Sequence, residues 1–305
     1  MSKQILDVIA VISNPIRWKS RIALYQAFEH HMLQSPNVRL TTVECAYGER
    51  DFDIDLNPLV NHVRVRAKSL VWNKENLINI GIQRLPDDWK FVAWIDADIT
   101  FRDKDWAAKT IDALHQYDVI QPWASCYDLG PNDEHLAHHK SFCRLFNEGK
   151  PVGKGNYEFA HPGYAWAATR RAINELGGLL EVAALGSGDH HMALALVGKA
   201  EATYPVGIHQ NYIDTVLAWQ KNAFHNIGQN IGHVPLTIEH SWHGSKVKRG
   251  YVDRWQILTR HKFDPLTDVK KNWQGVLELT CKKHGLRHDI DRYFRSRNED
   301  ANSID

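Results

Sequence analysis

The chain has 305 residues, 43% hydrophobic and 24% charged, with 19 Gly and 11 Pro, which excludes the disordered, collagen-like and low-complexity classes and suits one large α/β unit with an appended segment. Lys and Arg (37) nearly balance Asp and Glu (36) for a formal charge of +1, so no overall field argues for a nucleic acid, a membrane surface or a polyanion as partner. Cys45, Cys126, Cys143 and Cys281 are dispersed and read as reduced thiols, and no stretch approaches the roughly 18 apolar residues of a membrane span; the cytoplasm is the expected compartment.

Short apolar runs alternate with longer helical patterns through the first two hundred residues, the sequence form of βαβ units and a mostly parallel sheet. A first strand over Asp7–Ser13 ends at Asn14-Pro15, and a helix carrying Ile22-Ala23, Phe28 and Met32-Leu33 stops at Ser35-Pro36. Strands follow at Val38–Cys45 and His62–Val65, then a helix over Leu70–Arg84 and the fully apolar strand Phe91–Ile95, typical of burial on both faces. Trp106–Tyr117 reads as a helix and Val119–Ala124 as a strand, while the polar stretch Asn132–Tyr157 reads as a long loop. Tyr164–Ala168 is strand-like, Thr169–Leu176 helical with a stop at Gly177-Gly178, and Asp189–Val197 helical. Helical patterns recur at Tyr251–Thr259 and Trp273–His284 in a basic tail: fourteen Lys/Arg against six Asp/Glu lie between Lys246 and Arg297. Such a tail is a solvated face or a groove for nucleic acid. Two regions are expected, residues 1–235 as the main domain and 236–305 as a C-terminal segment.

Three constellations could carry chemistry. In Trp94-Ile95-Asp96-Ala97-Asp98 a buried strand runs out into two carboxylates at the edge where open α/β sheets bind ligands. Two acids so close suit a Mg²⁺ or Mn²⁺ ion, or are solvated loop acids or helix caps. His240 and His243, three apart in Glu239–Gly244, would share a face of a helical turn and could grip one metal, or are satisfied histidines. A mixed carboxylate and imidazole shell favours Mn²⁺ over Mg²⁺. In Gly186-Ser187-Gly188-Asp189-His190-His191 small residues deliver one acid to a helix start, where Asp189 is a general base or a cap. Arg17, in the turn after the first strand, suits a phosphate or a stacked base, or is a solvated side chain.

In this order and spacing the blocks resemble the GT-A glycosyltransferases, in the branch of the β-1,4-galactosyltransferases and the polypeptide N-acetylgalactosaminyltransferases. Asn14-Pro15-Ile16-Arg17 is similar to the family's nucleotide-holding turn, and Trp72–Gly81 to its Asn-Arg/Lys…Leu-Asn-x-Gly helix. Trp94–Asp98 is similar to its Asp-x-Asp strand, and Gly163-Tyr164-Ala165-Trp166 through Gly177-Gly178 to the strand and helix before the acceptor site. Leu185–His191 is similar to its acceptor motif, with one departure: the family's acidic pair and following acids read Gly188-Asp189-His190-His191 here.

The resemblance implies a Rossmann-like mixed sheet and a metal-dependent transfer of a hexose from a nucleotide-diphosphate sugar, UDP foremost, to a hydroxyl of a saccharide, glycoconjugate or modified nucleotide. It implies Asn14, Arg17, Glu44, Asn73, Lys74, Asp96 and Gly163 as donor-binding residues. Asp98, His240 and His243 would be metal ligands, with Asp96 nearer the ribose and metal-bound water, and Asp189 the base of an inverting displacement. Competing readings are a metal-dependent phosphohydrolase or nucleotidyltransferase, a nucleic-acid-binding module without catalysis, and a glycosyltransferase acting on a hydroxymethylated base in DNA, with the basic tail tracking phosphates.

Overall fold

A computed structural model describes residues 4–153, 160–244, 250, 253–280 and 282–301. Its centre is the strand β1 (Leu6–Ser13), whose side chains alternate between two buried faces: Val8 and Ala10 lie in one apolar cluster and Ile9 in another. β1 pairs in parallel with β2 (Val38–Tyr47) and β4 (Phe91–Ile95), and β2 with β3 (Asn61–Ala67). Asp7 stands directly across the ladder from Arg39, whose guanidinium holds its carboxylate at 2.6 Å, so the one acid inside this strand is paired.

The helices between these strands cover the two faces. α1 (Lys19–Gln34) places Phe28 and Met32 in the same cluster as Val8. α2 (Lys74–Ile82) places Leu77 and Ile78 with Ile9 on the other face, and it sits close because residue 81 is glycine: a Cβ there would stand 2.9 Å from Val43 and 3.0 Å from Ile9. After β4 come β5 (Ile99–Phe101), α3 (Trp106–Leu114), β6 (Val119–Gln121), β7 (Ser125–Leu129), β8 (His135–Ser141) and α4 (Phe142–Asn147). β9 (Ala160–His161), β10 (Ala165–Thr169), α5 (Arg170–Leu176), α6 (Gly188–Leu196) and α7 (Gln210–Ile227) follow. The remainder is β11 (Ile231–His233), β12 (Thr237–His240), α8 (Asp253–Arg260), β13 (Val269–Lys271), β14 (Leu277–Leu279) and α9 (His284–Ser296).

The main sheet has the order β11-β6-β10-β4-β1-β2-β3, with β10 alone antiparallel to its neighbours β4 and β6. A second sheet, β5-β12-β7-β8-β9, lies beside its carboxyl edge. This is the α/β class expected, a mostly parallel mixed sheet flanked by helices. No helix among the described residues is long and apolar enough to cross a membrane. Cys45, Cys126 and Cys143 are buried, and Cys281 lies outside the described residues.

Four elements differ from the sequence reading. The polar stretch 132–157 is not a continuous loop: His135–Ser141 pairs antiparallel with β7, and Ser141 caps α4 by accepting from the Arg144 amide at 3.2 Å; residues 154–159 lie outside the described residues. Trp273–His284 is not a helix but the second arm of a β13–β14 hairpin and the start of α9, because the Asn272 side chain accepts from the Gln274 and Val276 amides and closes a turn. α7 was not anticipated, although Tyr212, Val216, Trp219, Ala223 and Ile227 form a buried stripe at helical spacing. His240 ends a strand and His243 lies in the loop after it, rather than sharing a helical turn. The first two residues of the expected helix at Tyr251 lie outside the described residues, and α8 covers the rest.

The close approach of α2 to the sheet gives a direct test. Gly81→Val forces extra atoms against Val43 and Ile9, and is expected to cost about 1–3 kcal/mol, read as a lowered denaturation midpoint with an unchanged denaturant slope.

Candidate active site

Past its last hydrogen-bonded residue, β4 turns sharply: the Asp96 amide donates to the Tyr164 carbonyl at 2.8 Å and the Ile99 amide to the Asp96 carbonyl at 3.2 Å. Asp96 and Asp98 are thereby delivered to the wall of a cavity of about 240 Å³. β12 pairs with β5 in a register that sets His240 against Ile99, and the Ser241 amide donates to the Asp98 carbonyl at 2.9 Å. Two chain segments about 140 residues apart are stitched together at this point.

The result is a triangle of ligand atoms. Nε2 of His243 lies 3.2 Å from Oδ2 of Asp98, Nε2 of His240 lies 3.7 Å from the same oxygen, and the two Nε2 atoms are 3.2 Å apart. Ligands bound at about 2.1 Å to one ion stand roughly 3–3.5 Å from each other, so this donor set fits a single divalent cation. Among the described residues it is the one such group of three.

His240 is held from behind by a buried carboxylate, the arrangement that fixes a metal-binding histidine's tautomer and orientation, and His243 has a buried carboxylate within ion-pair reach. His240 Nδ1 lies 2.8 Å from Oδ1 of Asp128, an acid on β7 that also binds His139 Nε2 at 2.7 Å and accepts from the Tyr164 hydroxyl at 2.7 Å. Burial pulls the His240 pKa below its ordinary value, against the opposing pull of Asp98 and Asp128, which keeps the ring in the neutral form a metal requires. His243 Nδ1 lies 3.8 Å from Glu299, which is 1% exposed. Glu299 binds Arg21 at 2.5 and 2.9 Å and Arg297 at 2.7 Å. Burial would raise its pKa, but Arg21, His243 and Arg297 outweigh that and hold it well below the usual glutamate range.

The neighbouring Asp300 accepts from the Lys19 and Ser20 amides at 3.1 and 2.9 Å. It caps α1, whose own preceding residue, Trp18, makes no side-chain cap. Trp242 Nε1 donates to the Ala301 carbonyl at 2.8 Å, and Gly244 packs so tightly on the tail that a Cβ there would be 2.7 Å from the Asn298 carbonyl oxygen.

Asp96 turns toward Lys74, with which it forms an ion pair. Burial favours the neutral forms of both, yet the facing carboxylates of Asp96, Asp189 and Glu75 raise the Lys74 pKa overall. Asp189 occupies the first turn of α6 after two left-handed residues, Gly186 (φ 95°) and Ser187 (φ 81°). Its Oδ2 would be 3.0 Å from any Cβ at Gly163, so glycine there keeps that carboxylate open to the cavity. Tyr164, beside Gly163, is also left-handed at φ 78°. Backbone strain thus gathers at this cavity. Asn73, Lys74, Asp96, Asp98, Gly163, Asp189, His240 and His243 all line or border it.

Three expected donor residues sit apart. Asn14, Arg17 and Glu44 line a separate cavity of about 10 Å³ that shares Ile12 with the main one. There the Asn14 side chain exchanges hydrogen bonds at 3.0 Å with the backbone of Trp18, Arg17 faces Asp53 at 3.5 Å, and Glu44 accepts from the Ile54 amide at 3.1 Å. In the basic segment Arg254 and Arg297 are buried, while Lys271 pairs with Glu181, Lys283 with Asp268 and Arg260 with Asp289; Lys262, Lys270, Lys282, Arg287, Arg292 and Arg295 are exposed. Lys246, Lys248 and Arg249 lie outside the described residues. Arg254 reaches from α8 to the Ser187 hydroxyl at 2.5 Å.

Asp128, Glu299, Glu75 and Arg254 escape sequence reasoning. Asp128 and Glu299 reach the imidazoles only through folding, and no spacing announces them. Glu75 stands inside the quoted helix motif, where a buried acid next to Lys74 is a visible oddity.

No family model matches the chain, and no curated protein matches it. Among solved structures it is similar to a Drosophila β-1,4-galactosyltransferase 7 variant in complex with manganese, UDP-Gal and xylobiose (TM-score 0.42, 12% identity, 91% of this chain and 95% of that one). It is similar also to the catalytic domain of that enzyme with xylobiose (TM-score 0.42, 12% identity, 92% and 95%) and to residues 1–349 of S. aureus TarS (TM-score 0.36, 11% identity, 78% and 60%).

The two backing carboxylates can be separated by experiment. Asp128→Asn is expected to weaken Mn²⁺ binding about 10–100-fold, measured by calorimetric titration. Glu299→Gln leaves the buried Arg297 and the half-buried Arg21 short of an anion, so a stability loss on the order of 3 kcal/mol is expected together with weaker Mn²⁺ binding. Because the Glu299 pKa is depressed, its contribution is present above about pH 4.5 and fades as pH falls through the folded value; the wild type should lose more stability over that acid range than the variant.

Proposed function

We propose that the protein is a divalent-metal-dependent glycosyltransferase that moves a hexose from a nucleoside-diphosphate sugar, UDP foremost, to a saccharide hydroxyl with inversion at the anomeric carbon. One observation carries the reading: a three-ligand cluster fit for a cation and an open carboxylate, Asp189, face the same cavity. Asp98, His240 and His243 would hold the ion, and two imidazoles with one carboxylate favour Mn²⁺ over Mg²⁺, whose preference is for oxygen ligands. When bound, such an ion supplies the positive charge that a departing diphosphate needs.

The chain's own residues do the rest. Lys74 sets a second cation beside Asp96, where it can meet a phosphate or sugar oxygen. Asn73 lines the cavity beside Lys74. Asn14, Arg17 and Glu44 line a separate space with room for one water, so they would act on the nucleobase end from behind the cavity wall at Ile12. Asp189 takes the proton of the attacking hydroxyl as the new bond forms, a role that contributes about 10²–10⁴-fold. A single displacement with no nucleophile on the enzyme inverts the anomeric centre.

A thermal-shift panel of nucleotide sugars with and without Mn²⁺ is the first test, since a ligand at 100 times its Kd stabilises by about 2.7 kcal/mol. Stabilisation that requires both components is expected; none with any nucleotide sugar overturns the proposal. Asp98→Ala and His243→Ala should each abolish the Mn²⁺-dependent shift and UDP release. Asp189→Asn should cut turnover about 10²–10⁴-fold while donor affinity stays within threefold; equal losses in both would make Asp189 a structural cap.

A further inference from the structure

Gly188 stands in the acceptor loop immediately before Asp189, and the space above its missing side chain is already filled. A Cβ built there would lie 2.3 Å from both Cδ and Oε1 of Glu75. Glu75 comes from the other side of the cavity, on the first turn of α2, and is 3% exposed. Its carboxyl and that of Asp189 line the same cavity, and both border a pocket of about 10 Å³ beneath it, the room of one water. The chain therefore lines one cavity with two carboxyl groups close enough to influence each other's charge, although the loop itself contributes only one.

We propose that Glu75 is a specificity-determining residue of the acceptor site: delivered from α2 into the place of a side chain at 188, its carboxyl binds the acceptor hydroxyl adjacent to the one that Asp189 deprotonates. This rests on the transferase reading above and names the acceptor class, a saccharide presenting two neighbouring hydroxyls. Two adjacent carboxyls match a vicinal diol, one oxygen to each, and such paired contacts fix which hydroxyl attacks. The first turn of α2 and the neighbouring Lys74 favour a carboxylate at this position, but its surroundings outweigh them. Burial and the nearby Asp189 disfavour the ionised form, and although Lys74 opposes them the pKa is pushed up to about 7. The Lys74 ammonium is itself paired with Asp96. A group held against such a cost marks a working site more often than a structural one.

The test uses the full chain, Mn²⁺, the donor selected by thermal shift, and p-nitrophenyl β-glycosides of xylose, glucose, galactose and N-acetylglucosamine as acceptors. Glu75→Ala should raise the acceptor KM at least tenfold without lowering the melting temperature, whereas a residue of purely structural role would lower it. Gly188→Glu alone collides with Glu75 and should fold poorly. Combined with Glu75→Ala it should fold, judged by its Mn²⁺–UDP thermal shift, and recover at least threefold of the lost acceptor affinity, because the carboxyl is then returned from the loop side. An unchanged KM in Glu75→Ala, a double variant no better than Glu75→Ala, or a wild type that binds Mn²⁺–UDP yet uses none of the four glycosides overturns this proposal alone. Absence of any Mn²⁺–UDP shift in the wild type overturns the transferase reading and this inference with it.

Discussion

Two imidazole nitrogens 3.2 Å apart beside a carboxylate do not hold such a posture by themselves, and the molecule is organised around the forces that hold them. Behind His240 stands Asp128, and behind His243 stands Glu299, each a buried acid tied to further partners. A buried carboxylate is tolerable only when its lone pairs are occupied. Asp128 meets that demand with two histidines and a tyrosine, Glu299 with two arginines. The orientation of the ligand atoms is thus set by groups that never reach the cavity.

That dependence explains why the segment after residue 236 is inseparable from the body it follows. β12 brings His240 into register against β5 and β7. α9 then buries Leu286, Ile290, Tyr293 and Phe294 in the same apolar cluster as α2, while the β13–β14 hairpin docks on β3 through the Arg66 and Lys68 amides, which donate to Gln274 and Glu278. Two of the tail's cations are turned inward: Arg297 stacks 4.7 Å over Trp72, and Arg254 lies against Gly186 and Ser187.

The central sheet was legible because burial on both faces writes itself as uninterrupted apolar runs, as in Phe91–Ile95 and Val8–Ile12. The cluster of Asp98, His240 and His243 was legible as residue types, though not as geometry: His240 lies on a strand whose partners are remote in sequence, and three-residue spacing suggests a helix regardless. Polar strands such as His135–Ser141 hide because one face meets solvent and the other meets histidines and tyrosines rather than aliphatic side chains. Several motif residues proved to be about packing. Asn79 exchanges hydrogen bonds with the backbone of Leu179 at 2.8 and 2.9 Å, and Gly178 leaves it room. Glu299 and Asp128 were illegible, since their partners are chosen only when the chain closes on itself.

The clasp formed by residues 297–301 has a consequence for how the protein comes into being. Synthesis runs from the amino end, so the first helix and the sheet can form on the ribosome while the ring of His243 still lacks its support and α1 still lacks its cap. The surroundings of His243 are completed last, and a nascent chain halted short of residue 299 would possess the sheet without them.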